Sequence, residues 1–234
     1  MPQREPLSAP LLGALFALAG LTAGWLVLAL EAAAQGGAGM LVGFPWQGVV
    51  LQPPFGLPLI RQGLEGSDGA GNWAVFFLAG PVAAMAAGLA AHTVVEVAGA
   101  PGWLRALGFE VFAIAWLRFP LLLLAAGVPG GRGPLALLYG RLGEPESGRW
   151  AAIALGMVIL WGVAALVAWR AVALGRDWLR VDGRGFRRRV VRLVAAYPFL
   201  LAMAAYAVQR PLGPAAWLAA GLALVLGCLT LRTK

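Results

Sequence analysis

Six apolar runs fall at roughly 10–34, 73–99, 107–128, 150–174, 190–208 and 213–231. About 20 apolar residues are enough to cross the hydrocarbon core of a bilayer. Inside lipid, each such segment must satisfy its own backbone as a helix. The chain therefore reads as an all-α polytopic membrane protein with about six transmembrane helices, one integral membrane domain over 1–234. Composition agrees: 61% of residues are hydrophobic and 12% charged, against about 25% charged in a soluble domain. The first run is longer than the core of a cleaved signal, and only Arg4 precedes it, so it is read as a retained helix. Arg118 and Pro120 interrupt the third run, which predicts a kink there.

The intervals between runs differ in kind. Residues 36–72 are rich in Gly, Pro and aromatics, and "MLVGF" and "GVVLQ" within them read as short strands. Their apolar content predicts a segment folded back on the membrane surface as a short β or loop element. A polar loop is expected at about 129–149. The densest charge lies at 170–192, where Arg170, Arg176, Arg180, Arg184, Arg187, Arg188, Arg189 and Arg192 face only Asp177 and Asp182. By the positive-inside rule this loop is cytoplasmic. Six helices then place both termini in the cytoplasm of a cell bounded by this inner membrane, with 36–72 and 129–149 outside. Arg184, Arg187, Arg188 and Arg189 are the expected contacts to anionic lipid head groups. The expected partners are lipid and other membrane chains, not nucleic acid.

Scarce residue types exclude much chemistry. Cys228 is the sole cysteine, so neither an internal disulfide nor a thiolate metal cluster can form. Lys234, at the C-terminus, is the sole lysine, which excludes a buried retinal Schiff base. The single histidine, His92, has no suitably placed serine for a hydrolytic triad, and "GAGNW" lacks the lysine of a phosphate loop. Trp46, Trp73, Trp103, Trp150, Trp178 and Trp217 lie near expected helix ends and read as an interfacial belt.

Two groups of polar residues remain to be explained. Glu31 closes the first apolar run in "LVLALEAAAQGG", and a carboxylate near lipid is expensive. It can be solvated at the interface, paired with Arg132 or Arg61, or retained for chemistry. In "AAHTVVEVAG", His92 and Glu96 share a helix face at i, i+4, and Glu110 could join them, with Arg105 in the turn between. That set reads as a hydrogen-bonded His–Glu pair, as an axial ligand to haem or chlorin through His92, or as a metal site. His92 lies about 18 Å along its helix from Gly80, at about 1.5 Å per residue, so the two groups belong near opposite membrane faces.

The stretch "FFLAGPVAAMAAGLAA", with Gly80 and Pro81, resembles the AGP helix of the site-2 protease (M50) family of intramembrane zinc metalloproteases. In that family an H-E-x-x-H helix comes first, a short membrane-associated β segment follows, then the AGP helix, and a later helix ends in an Asp-Gly pair that supplies the third zinc ligand. The order here is similar, and "GGRGPLALLYGRLGEPESGRWAAIAL" at 130–155 resembles the family's segment around that pair. The resemblance covers about residues 20 to 160, with the helices at about 190–231 appended. Laid on H-E-x-x-H, residues 30–34 read L-E-A-A-A, so Leu30 and Ala34 stand where zinc-binding histidines belong and Glu31 matches the general base. Arg132 and Gly133 stand at the Asp-Gly position. Zinc takes nitrogen, thiolate or carboxylate ligands, and none of the three positions offers one.

The resemblance implies a protease scaffold without its metal, and no cofactor. The expected function is that of a non-proteolytic membrane protein whose groove, with Glu31, Gly80, Pro81, Arg132 and Gly133, binds or stabilises a transmembrane partner. Three other functions stay open. They are an accessory subunit of a membrane complex holding pigment or haem through His92, an active protease with relocated ligands, and a transporter using Glu110 and Arg118.

Overall fold

The computed structural model describes residues 9–50, 59–62, 70–128, 134–143 and 146–179. Among these, five helices and two strands follow in the order α1 (Ala9–Leu41), β1 (Trp46–Val50), β2 (Leu59–Gln62), α2 (Ala70–Val97), α3 (Gly102–Gly127), α4 (Pro134–Leu142) and α5 (Glu146–Leu179). Four of them, α1, α2, α3 and α5, are long and apolar enough to cross a membrane, so the protein is membrane-embedded. The runs at 190–208 and 213–231 lie outside the described residues.

Several boundaries differ from those expected. The apolar run of α1 stops near residue 34, but the helix continues to Leu41. Its glycines each weaken a helix by only about 1 kcal/mol, and none of them breaks it. The helix stops where a glycine reverses its backbone hand: Gly43 has φ +88. The Phe44 amide donates to the Gly39 carbonyl at 2.8 Å and the Gly43 amide to the Met40 carbonyl at 3.3 Å. These are the two bonds of a Schellman cap. Gly99 ends α2 the same way, with φ +58 and the Ala100 amide on the Val95 carbonyl at 3.1 Å. Met40 and Leu41 of "MLVGF" are thus helical. The described strands pair antiparallel, Val50 opposite Leu59, with an irregularity between Trp46 and Val49.

The expected loop at 129–149 contains a helix, α4, which begins on Pro134, a residue suited to the first helical position because its missing amide would be unpaired anyway. The expected loop at 170–192 is helical through Leu179, so Arg170 and Arg176 belong to α5. Pro120 lies inside α3, which is assigned as one helix through Arg118 and Pro120.

α3 is the central element. It packs against α1, α2 and α5, and from Leu121 to Gly127 every residue is buried. Close approach at three points, two between α2 and α3 and one between α3 and α5, depends on missing side chains. A Cβ on Gly88 would lie 3.1 Å from the Ala115 Cβ, one on Gly108 2.7 Å from Val95 Cγ2, and one on Gly127 2.6 Å from the Arg149 carbonyl oxygen. Small residues that let backbones meet are how helices associate in lipid, where burial itself offers no driving force. Partners fall along α3 as residues advance along α2 and α5, so α3 runs antiparallel to both.

At the end of the bundle where α1 stops and α2 starts, Phe44, Trp73, Phe76 and Phe77 pack with Leu122, Leu123, Leu135 and Leu138 beneath α4. Trp73 is buried and carries the Arg141 guanidinium 4.6 Å above its ring. It is a core residue, not part of the expected belt. Trp103 and Trp150, at the starts of α3 and α5, are exposed.

Candidate functional site

Glu31 is the buried carboxylate of α1, and it does not lie at the helix end. It sits ten residues before the end of α1, while Gly80 sits ten residues into α2 and Arg118 nine residues before the end of α3. At about 1.5 Å per residue, each is roughly 13–15 Å from the same end of the bundle. If the helices end at the membrane face, a hydrocarbon core about 30 Å thick would put the three residues near its middle.

The three residues meet there. Arg118 Nε donates to both Glu31 oxygens, Oε1 and Oε2, each at 2.7 Å. The side chains keep only 18% and 9% of their surface, so the pair is largely removed from solvent. Gly80 closes the site from α2. A Cβ there would come within 2.9 Å of the Glu31 carbonyl oxygen and 3.5 Å of the Gln35 Cβ. Pro81 is buried beside it, inside the helix. Among the described residues the ion-pair partner of Glu31 is Arg118; the pairing expected with Arg132 or with the Arg61 side chain lies outside what is described. Arg132 and Gly133 lie outside the described residues, as do Arg184, Arg187, Arg188 and Arg189.

These residues do not fit a zinc ion. Leu30 and Ala34 are aliphatic, and the guanidinium on Glu31 puts a fixed positive charge where a cation would have to enter. Among the described residues, no three His, Cys, Asp or Glu side chains converge. What the arrangement does chemically is neutralise two charges in low dielectric. Breaking such a pair by removing one partner is strongly destabilising.

The second group does not assemble. Glu96 is bonded by Arg105, from Nε at 3.2 Å and Nη2 at 3.0 Å, which clamps the turn between α2 and α3. The expected His92–Glu96 hydrogen bond is absent. The His92 ring instead stacks on Phe112 at 5.2 Å and meets the edge of Phe109 at 6.2 Å. Glu110 is two residues from Phe112, about 200° around the helix, so it looks away from His92. It shares a face with Ala106, Ala113 and Leu117, and these pack with Val163, Val167 and Ala171 of α5. Arg118 is therefore not the partner of Glu110. Glu110 and His92 are both buried, and among the described residues none of their side-chain nitrogens or oxygens has a hydrogen-bond partner.

The role that the sequence did not reveal is that of Arg118, read there as a kink marker and, with Glu110, as part of a transporter's path. Placing the end of α1 at Gly43 would have revealed it, because Glu31 and Arg118 then lie at equal depth. The arrangement defines a helical, membrane-embedded protein with a charge pair inside its helix bundle. No family model, curated protein or solved structure matches the chain.

Proposed function

We propose that the chain is a non-proteolytic relative of the site-2 proteases that binds or stabilises a transmembrane partner in the groove formed by α1, α2 and α3. The observation that carries this reading is the meeting of Glu31, Gly80 and Arg118 at one depth. The carboxylate matching the family's general base lies against the AGP helix, and a guanidinium holds it in place of a metal. The protein sits in the cytoplasmic membrane with the basic stretch at 184–189 on the cytoplasmic side, against anionic head groups. A photo-crosslinker at Leu30, exposed one residue from Glu31, tests the proposal in native membranes. It should yield one discrete membrane-protein adduct, weakened by Arg118→Gln, while the same probe at the exposed Val158 of α5 yields none. Identical adducts at both positions, or none at Leu30, would defeat the groove.

A second reading draws on the two unpartnered ring nitrogens of His92: an accessory subunit holding haem or chlorin. A visible absorbance band in the purified protein, lost in His92→Ala, would favour it.

A further inference from the structure

Glu110 has no role in the groove, yet it is the most completely buried ionisable residue described, with no exposed surface. Among the described residues, neither carboxyl oxygen has a hydrogen-bond partner. It lies eight residues into α3, about 12 Å from the membrane face at 1.5 Å per residue. Its neighbours on the same helix face, Ala106, Ala113 and Leu117, pack with Val163, Val167 and Ala171. An apolar side chain would fill that seam without leaving a polar group unsatisfied. Isolated carboxylates in such surroundings neutralise rather than stay charged, and acids kept inside membrane helices recur in proton relays.

We propose that Glu110 is a proton-carrying site inside the membrane, loaded and unloaded along the α3–α5 seam from the end where α3 begins. Between Glu110 and that end, the buried cluster holds Ala106, Phe109, Ala171 and Leu174. Charged and titratable groups surround the site at a distance on every element packed against it. On α2 they are His92 and Glu96, the latter held by Arg105. On α5 they are Glu146 and Arg149 near its start and Arg170, exposed with its guanidinium over Trp169 at 4.9 Å, and α4 adds Tyr139 and Arg141. On α3 itself they are Arg105 and Arg118, the latter bonded to Glu31; the described side chains of α1 add only Glu31. None of them hydrogen-bonds Glu110, so its proton has no acceptor until the seam admits water.

Two measurements on the full chain in phosphatidylcholine–phosphatidylglycerol vesicles at neutral pH test this. Infrared spectroscopy should show a protonated-carboxyl stretch that shifts in D2O and is lost in Glu110→Gln. Dicyclohexylcarbodiimide, which adds across a carboxylic O–H and rearranges to an N-acylurea, should leave its mass on the peptide containing Glu110 and spare Glu31 and Glu96. A carboxyl band that does not shift in D2O means a sealed acid and overturns the proposal. So does the absence of such a band, its persistence in Glu110→Gln, or a missing adduct at Glu110. The labelling uses unsubstituted protein, so it decides the matter even if Glu110→Gln fails to fold.

Discussion

Arg118 Nε lies 2.7 Å from each carboxylate oxygen of Glu31, across 87 residues of sequence and at the middle of the bundle. Both side chains are largely buried, keeping 18% (Arg118) and 9% (Glu31) of their surface. Glu31→Gln and Arg118→Gln should each cost about 3–5 kcal/mol, the usual penalty for stranding a buried charge. The double variant should lose less than the sum of the two. Thermal unfolding in detergent, run as a double-mutant cycle, reads this directly, and strict additivity would mean that the pair is not coupled.

Gly80 and Gly37 make a matched comparison. A methyl on Gly80 would press on the Glu31 carbonyl oxygen at 2.9 Å, and backbone cannot rotate away. Gly80→Ala should destabilise by about 1–3 kcal/mol, the range for overpacking, and should also weaken the Glu31–Arg118 coupling. Nothing lies within 4 Å of the corresponding position on Gly37. Gly37→Ala should instead stabilise by about 0.5–1 kcal/mol through helix propensity. Equal effects at the two positions would show that α1 and α2 do not cross at Gly80.

These contrasts show what sequence alone could carry. Hydrophobic runs marked the four described membrane helices, because lipid leaves so few alternatives to a helix. Gly80 entered through the resemblance of its stretch to the AGP helix, and the structure places it where α1 and α2 meet. The end of α1 was misplaced because apolar content fades at Glu31, whereas the helix ends on the backbone hand of Gly43. That error moved Glu31 to the membrane edge and hid Arg118 as its partner. His92 and Glu96 match an i, i+4 pair in spacing, but Arg105, nine residues on, competes for the carboxylate with two aligned donors. Spacing could not reveal that competition, nor that Glu110 turns towards α5.

The Glu96–Arg105 pair should behave unlike the mid-membrane one. Its side chains keep 22% (Arg105) and 32% (Glu96) of their surface, near the turn that Gly99 caps. Water and salt reach it, and exposed pairs contribute about 0–1 kcal/mol. Glu96→Gln should therefore change stability by no more than that, and the change should shrink as ionic strength rises. A salt-independent loss of several kcal/mol would mean that the α2–α3 turn relies on this clamp far more than its exposure implies.

Orientation in the membrane separates two lines of reasoning about the chain. The antiparallel helices put the α2–α3 turn, the start of α3 and the end of α5 at one face, so Arg105, Arg170 and Arg176 gather there. The sequence continues from that end of α5 into Arg180, Arg184, Arg187, Arg188 and Arg189. On the proposed topology, the positive-inside rule makes this face the inner one. The site-2 protease resemblance gives the opposite answer, since those enzymes keep their catalytic end towards the cytosol, and Glu31 is nearer the other face. A single cysteine at Arg187, in a Cys228→Ala background, should resist a membrane-impermeant maleimide in intact cells and react once they are opened. A second cysteine at Leu137, exposed on α4 at the opposite end, should react in intact cells. The reverse pattern would show that the scaffold, and not the charge, sets the topology. Labelling at both sites in intact cells would mean that they share the outer face, and would contradict the antiparallel course of α5 itself.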